Sequence, residues 1–248
     1  MTKLDNYIDS LDLPTSTRAV DIAKTAAEFT SGQQALVIDS QLAEFKPTVG
    51  QALRPTISYG LLLGQLAANK AMDSDSDAKK WFTTYNSVMG NIGWVLQTGE
   101  LAKQEISDTT VALHKAIIPI IAAALGPAAA VGSIILEALK GLESMGEDAP
   151  WITLFQESSQ TVKGARFGVS VVDAGPGGGA TLQSAYFSVN AARKITQVLF
   201  FKIASEGATV DGAKSNFSIG DQVIRDTKNA LRKKVAPFIV SNIENIKI

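Results

Sequence analysis

Ala116-Ile117-Ile118-Pro119-Ile120-Ile121-Ala122-Ala123-Ala124-Leu125-Gly126-Pro127-Ala128-Ala129-Ala130-Val131-Gly132-Ser133-Ile134-Ile135-Leu136 contains no charged residue and is bounded by Lys115 and Glu137. Its length approaches the ~20 apolar residues a helix needs to cross a bilayer core of ~30 Å. Gly126-Pro127 at its centre denies a single span, because proline removes a backbone donor and clashes with the preceding turn. Two arms of about ten residues remain, each about 15 Å long at the helical rise, and neither crosses alone. The segment therefore predicts a tight αα-hairpin, either buried in the fold or dipped into one leaflet.

Upstream of the hairpin the chain reads as helical. A first helix is expected after Pro14, with Thr15 or Ser16 as cap and Ala19, Ile22, Ala23, Ala26 and Phe29 at helical spacing. It resumes past Gly32 over Leu36–Phe45 and stops at Pro47. A helix after Pro55 carries Ile57, Leu61, Gly64 and Ala68 on one face, and Gly60 with Gly64 reads as a point of close helix packing. Trp81, Tyr85, Val88, Ile92 and Leu96 form the apolar stripe of another helix. Between them, Asp73-Ser74-Asp75-Ser76-Asp77 resembles the start of a calcium loop. Such a loop needs glycine at its sixth position and a bidentate glutamate at its twelfth. Ala78 and Thr84 stand there, so the run reads as a polar connection.

Downstream the period changes. Phe167–Val172, Leu182–Val189, Thr196–Ile203 and Ala208–Ile219 read as strands joined by short connections, which favours an antiparallel meander. Gly175-Pro176-Gly177-Gly178-Gly179 lacks the Gly-Lys-Ser/Thr of a phosphate loop and runs into another strand, so it reads as a hairpin tip. A last helix from Asp221 shows a basic face at Lys228, Arg232, Lys233 and Lys234. The expected fold is α+β in a single domain, 1–248. A mostly helical N-terminal part with the central apolar hairpin (1–148) precedes a four-stranded antiparallel sheet and a C-terminal helix (151–248).

Composition bounds the chemistry. The chain has no cysteine and one histidine, which removes thiol catalysis, thiolate–zinc sites and histidine metal clusters, so no metal is expected. A net charge of −1 and a pI near 5.9 draw the chain toward neither nucleic acid nor anionic lipid. The opening Met1–Asp9 is too acidic for a secretory signal, which implies synthesis in the cytoplasm and any release by a non-Sec route. His114 reads as a surface or interfacial histidine, no Gly-x-Ser-x-Gly elbow is present, and Glu143 with Glu147 reads as a solvated helix face. No catalytic constellation emerges, and the chain is expected not to be an enzyme.

Two stretches carry a resemblance. Trp81-Phe-Thr-Thr-Tyr-Asn-Ser-Val-Met-Gly-Asn-Ile-Gly-Trp94 and Ser184-Ala-Tyr-Phe187 with Gln197-Val-Leu-Phe-Phe-Lys-Ile203, together with the order of helix motif, apolar segment, sheet and final helix, resemble the Erwinia virulence factor Evf group from about Pro55 onward. The resemblance implies an α/β virulence factor that carries a fatty acid on a cysteine. With no cysteine here, covalent acylation does not carry over and no functional residue transfers. The apolar hairpin is also similar, in composition alone, to that of helical pore-forming toxins.

The expectation is a non-enzymatic, toxin-like bacterial effector that binds lipid or a membrane surface through the hairpin. Ile117, Ile118, Ile120, Ile121, Leu125, Val131, Ile134 and Ile135 would face the lipid. Lys115, Lys228, Arg232, Lys233 and Lys234 would meet headgroups. A bound fatty acid or lipid is the one ligand expected, and a protein partner or an oligomer stays open. The alternatives are a structural or interaction module with the hairpin as core, and an enzyme whose site is not visible in sequence.

Overall fold

In the computed structural model, which describes residues 2–15, 27–72, 78–102, 111–126, 133–162, 164–192, 194–203 and 208–247, one mixed sheet has helices on both faces. Its strands in chain order are β1 (Gln34–Ile38), β2 (Gln41–Phe45), β3 (Val95–Ala102), β4 (Gln160–Thr161), β5 (Gly164–Ala174), β6 (Ala180–Asn190), β7 (Thr209–Ile219) and β8 (Ile243–Asn245). They lie in the order β3-β7-β6-β5-β2-β1-β8, with β4 paired to β5. β5, β6 and β7 are the long antiparallel centre, with registers from Gly164↔Asn190 to Ala174↔Ala180 and from Ala180↔Ile219 to Asn190↔Thr209. β2 joins β5 in parallel, from Gln41↔Gly168 to Phe45↔Val172, and this pair makes the sheet mixed.

The α+β class stands, but the expected four-stranded antiparallel sheet is corrected to an eight-stranded mixed one. Leu36–Phe45, read as helix, is the β1–β2 hairpin, turned at Asp39-Ser40 with Asp39 at φ 52°. Both faces of β1 are covered, Ala35 and Val37 by one cluster and Leu36 and Ile38 by the other. A strand covered on both sides reads as a continuous apolar run rather than an alternation. Leu96 does not extend a helical stripe. The helix carrying Trp81, Tyr85 and Val88 ends at Asn91, with Ile92 buried just beyond it; Gly93 at φ 104° turns the chain, and Leu96 lies 44% exposed on edge strand β3. Thr196–Ile203 is a series of turns that drives Val198, Leu199 and Ile203 into the core, with one isolated bridge, Ala112↔Lys202.

Among the described residues the α-helices are α1 (Lys3–Ser10), α2 (Arg54–Lys70), α3 (Ala78–Asn91), α4 (Leu113–Leu125), α5 (Ile134–Gly141), α6 (Pro150–Ser159), α7 (Asp221–Val235) and the short α8 (Ile239–Asn242). α4, α5 and α6 cover one face, over Phe167, Val169, Val171 and Phe187. α1, α2, α3 and α7 cover the other, over Phe45, Val172, Leu182 and Phe217. Pro55 opens α2 as its position predicts. A Cβ at Gly64 would stand 3.0 Å from the Tyr85 ring and 3.1 Å from Met89 Sδ, so this glycine sets how closely α2 and α3 approach. Gly175–Gly179 is the β5–β6 turn, with Gly177 and Gly178 at φ 66° and 80°. The first-helix residues Ala19–Ala26 and the acidic run Asp73–Asp77 lie outside the described residues.

Candidate functional site

α4 rests on the sheet through a stripe at four-residue spacing. Leu113, Ile117, Ile121 and Leu125 are buried against β5 and β6, the periodicity an amphipathic helix requires. Its N-terminus is tied to the turn segment after β6: Leu113 N–H donates to Phe201 O at 2.7 Å and His114 N–H to Leu199 O at 3.1 Å. The His114 ring is buried, not superficial as expected. Its Nδ1 lies 2.6 Å from Leu199 O, and the ring sits edge-on to Phe200 with centroids 5.8 Å apart. Facing a carbonyl, Nδ1 is the donor of that contact, and the buried Nε2 makes no hydrogen bond. Gly126 at φ 64° ends the helix where the Gly-Pro pair predicted a break. The second arm, α5, is capped by Ser133 and buries Ile135, Leu136 and Leu139 beside α4. Among the described residues no helix is long and apolar enough to cross a membrane.

The outward side of α4 is unusual. Pro119 and Ala123 are exposed, and Ala116, Ile118, Ile120, Ala122 and Ala124 are part-buried, so no polar side chain follows Lys115 on this helix. Beside it a cleft of about 190 Å³ opens between α4 and the sheet. Ile120, Ala123 and Ala124 form one wall, and Ala185 and Phe187 of β6 with Gly212 and Ala213 of β7 form the other. The half-exposed Lys214–Glu100 ion pair, 3.0 Å, also lines it. At ~30 Å³ per water this is space for roughly six waters, below the ≈ 300 Å³ of a drug-sized ligand site.

The residues expected to face lipid thus separate. Ile117, Ile121, Leu125 and Ile135 are core, while Ile118, Ile120 and Ile134 pack at its margin with part of their surface open. Val131 lies outside the described residues. The basic residues divide as well. Lys115 is on α4 but pairs with Glu143 at 2.5 Å, and that pairing holds the Glu143 carboxyl below its usual range. Lys228, Arg232, Lys233 and Lys234 are on α7, which covers the opposite face of the sheet; Lys234 Nζ donates to Asp9 O at 2.9 Å. The sheet residues of the cleft carried no sequence signal, since Glu100, Phe187 and Lys214 meet only through strand register.

On the α2–α3 face the sheet carries a buried polar row that sequence reading also missed. Ser170 and Ser184 share a hydrogen bond of 2.8 Å, and Gln41 Nε2 donates to Ser170 Oγ and, at 3.5 Å, to Tyr186 Oη. Gln65 Nε2 donates to Gln41 Oε1 at 3.2 Å. The Tyr85 ring lies 5.1 Å from that of Tyr186, and its buried hydroxyl forms no hydrogen bond of normal geometry. Burial pushes both phenols above the ordinary tyrosine range. A Cβ at Gly168 would lie 2.8 Å from the Tyr186 ring, so this glycine makes room for it. These hydroxyls and amides bond to one another and include no carboxylate or imidazole to take a proton near neutrality.

No protein family and no curated protein matches the chain. Among solved structures it is similar to a delta-endotoxin, at 13% identity over 88% of this chain and 95% of that one, with a TM-score of 0.40. It is similar also to the Evf virulence factor, at 12% identity over 100% of this chain and 92% of that one, with a TM-score of 0.33. Both are distant likenesses.

Proposed function

We propose that this protein is a non-enzymatic, lipid-directed factor of the effector or toxin-like kind, and that α4 is the element that meets lipid. The observation that carries this reading is the outward side of α4. A helix packed on a sheet ordinarily turns charged or polar residues to water, whereas here Ile118, Pro119, Ile120, Ala122 and Ala123 face outward or lie part-open. Contiguous apolar exposure marks an interaction surface. A helix of 13 residues, about 20 Å long, suits lying in the headgroup boundary, where apolar faces sink ≈ 5–10 Å. The cleft beside it has the size and lining for a short stretch of acyl chain, each buried methylene contributing about 0.8 kcal/mol. A fatty acid or membrane lipid is the proposed ligand.

The inner stripe supports a second reading. Ile117, Ile121, Ile135 and Leu139 are ordinary core residues, as they would be in a structural module whose hairpin never leaves the fold. Liposome flotation, combined with native mass spectrometry and lipid extraction of purified protein, separates the two. Flotation or a retained lipid supports the lipid-directed reading. A protein that neither floats nor carries lipid, at neutral and mildly acidic pH, is the module.

A further inference from the structure

We infer that Glu44 is the latch that holds the second arm of the hairpin, α5, on the sheet, and that its release frees α5 without opening the sheet. The register Ala35↔Glu44 sends this side chain to the same face as Ala35 and Leu42, into the cluster beneath α4, α5 and α6. A carboxylate there, 0% exposed, has been taken wholly out of water. Such a group persists only when donors surround it. Oε2 accepts from Ser133 Oγ–H at 2.6 Å and from Ile135 N–H at 3.4 Å, and Oε1 accepts from Gln33 Nε2 at 2.5 Å and Lys46 Nζ at 3.2 Å. Ser133 in turn caps α5, accepting from Leu136 N–H at 3.4 Å. A strand carboxylate thus satisfies the unpaired start of a helix from another part of the chain and sits at the positive end of its dipole.

The two arms are held differently. α4 is tied by neutral backbone bonds to Leu199 and Phe201 carbonyls, while α5 is held through a charge. α5 is also short, with 8 residues, so beyond its packing it has little helical stability of its own once its start is untied. Losing the Glu44 charge leaves several buried donors facing a group that no longer pairs with them all, and the strain falls on the movable partner. The strand β2 is locked between β1 and β5, so α5 is what moves. As a control on hairpin exposure this rests on the lipid-directed reading above.

The test uses the full chain. Glu44→Gln keeps the size of the side chain but removes the charge and points an amide N–H at donors. Hydrogen exchange without lipid should accelerate roughly tenfold or more in α5 amides and stay unchanged in β5 and β6. Flotation with zwitterionic and anionic vesicles should rise over the parent protein. If α5 exchanges no faster, or if β5 and β6 accelerate along with it, the latch is refuted. If α5 is freed and vesicle binding does not rise, the latch stands and its control of lipid binding is refuted; the α4 reading is decided separately, by flotation of the parent protein. Should Glu44→Gln not fold, Ser133→Ala removes the 2.6 Å bond to Oε2 and is read by the same two measurements.

Discussion

Placing aspartate at Ala123 separates the core role of α4 from its surface role. Ala123 is exposed, on the outward side of the helix and at the rim of the cleft. In the folded protein the new carboxylate stays in water, so no buried charge is created. The cost comes from lower helix propensity, up to about 0.7 kcal/mol. An anion in the last turn, two residues before the end at Leu125, adds about 0.3–1 kcal/mol against the dipole. Together about 1–1.7 kcal/mol predicts a melting temperature lowered by roughly 2–7 °C. On lipid the balance differs. A carboxylate costs about 2.5–3.5 kcal/mol at the bilayer centre. Half of that at the shallower depth of an interfacial helix is a loss of partitioning of roughly eight- to twentyfold. Ala123→Leu should act in the opposite direction by adding apolar surface to the same spot. Partitioning is measured by flotation across a lipid titration, with thermal melts and far-UV circular dichroism on the same samples. If both variants partition like the parent, α4 does not meet lipid, whatever else the protein does.

The buried tyrosines predict an alkaline limit to stability. Because the folded-state pKa values of Tyr85 and Tyr186 are raised, their contribution is fully present below about pH 10 and is lost as pH rises above it and the unfolded phenols ionise. Urea midpoints from pH 8 to 11 should show the decline, and tyrosinate absorbance should show two of the 4 tyrosines ionising only with unfolding; titration of all four near pH 10 in the folded state contradicts this. Tyr85→Phe should be neutral or stabilising, since it removes an unpaired buried hydroxyl, whereas a loss above about 1.5 kcal/mol in denaturant unfolding would reveal a bond there. Gly168→Ala should cost about 1–3 kcal/mol, because its Cβ meets the Tyr186 ring at 2.8 Å; an unchanged melting temperature would mean that the ring yields freely.

Several features were legible because they are written locally. The stripe Trp81, Tyr85, Val88 and Ile92, the start of α2 at Pro55 and the end of α4 at Gly126 follow from helical spacing and from glycine and proline. The start of α7 at Asp221 and the turn at Gly175–Gly179 follow in the same way. The site was legible by half. The uncharged segment marked α4, but which of its isoleucines belong to the core, and that Glu44 sits beneath α5, depended on neighbours far away in sequence.

By itself the sequence determined the apolar helix α4 and its end at Gly126, the long strands β5, β6 and β7, and the absence of thiol chemistry. These depend on the intrinsic conformational limits of glycine and proline, on side-chain period and on residue inventory, all of which act over a few residues. Only the tertiary structure decided that Leu36–Phe45 is two strands, that β2 runs parallel to β5, and that β8 closes the far edge of the sheet. A strand buried on both faces has no alternation to display, and a three-residue strand is too short to carry a pattern. The hydrogen bonds that make either of them a strand come from partners that local spacing does not specify.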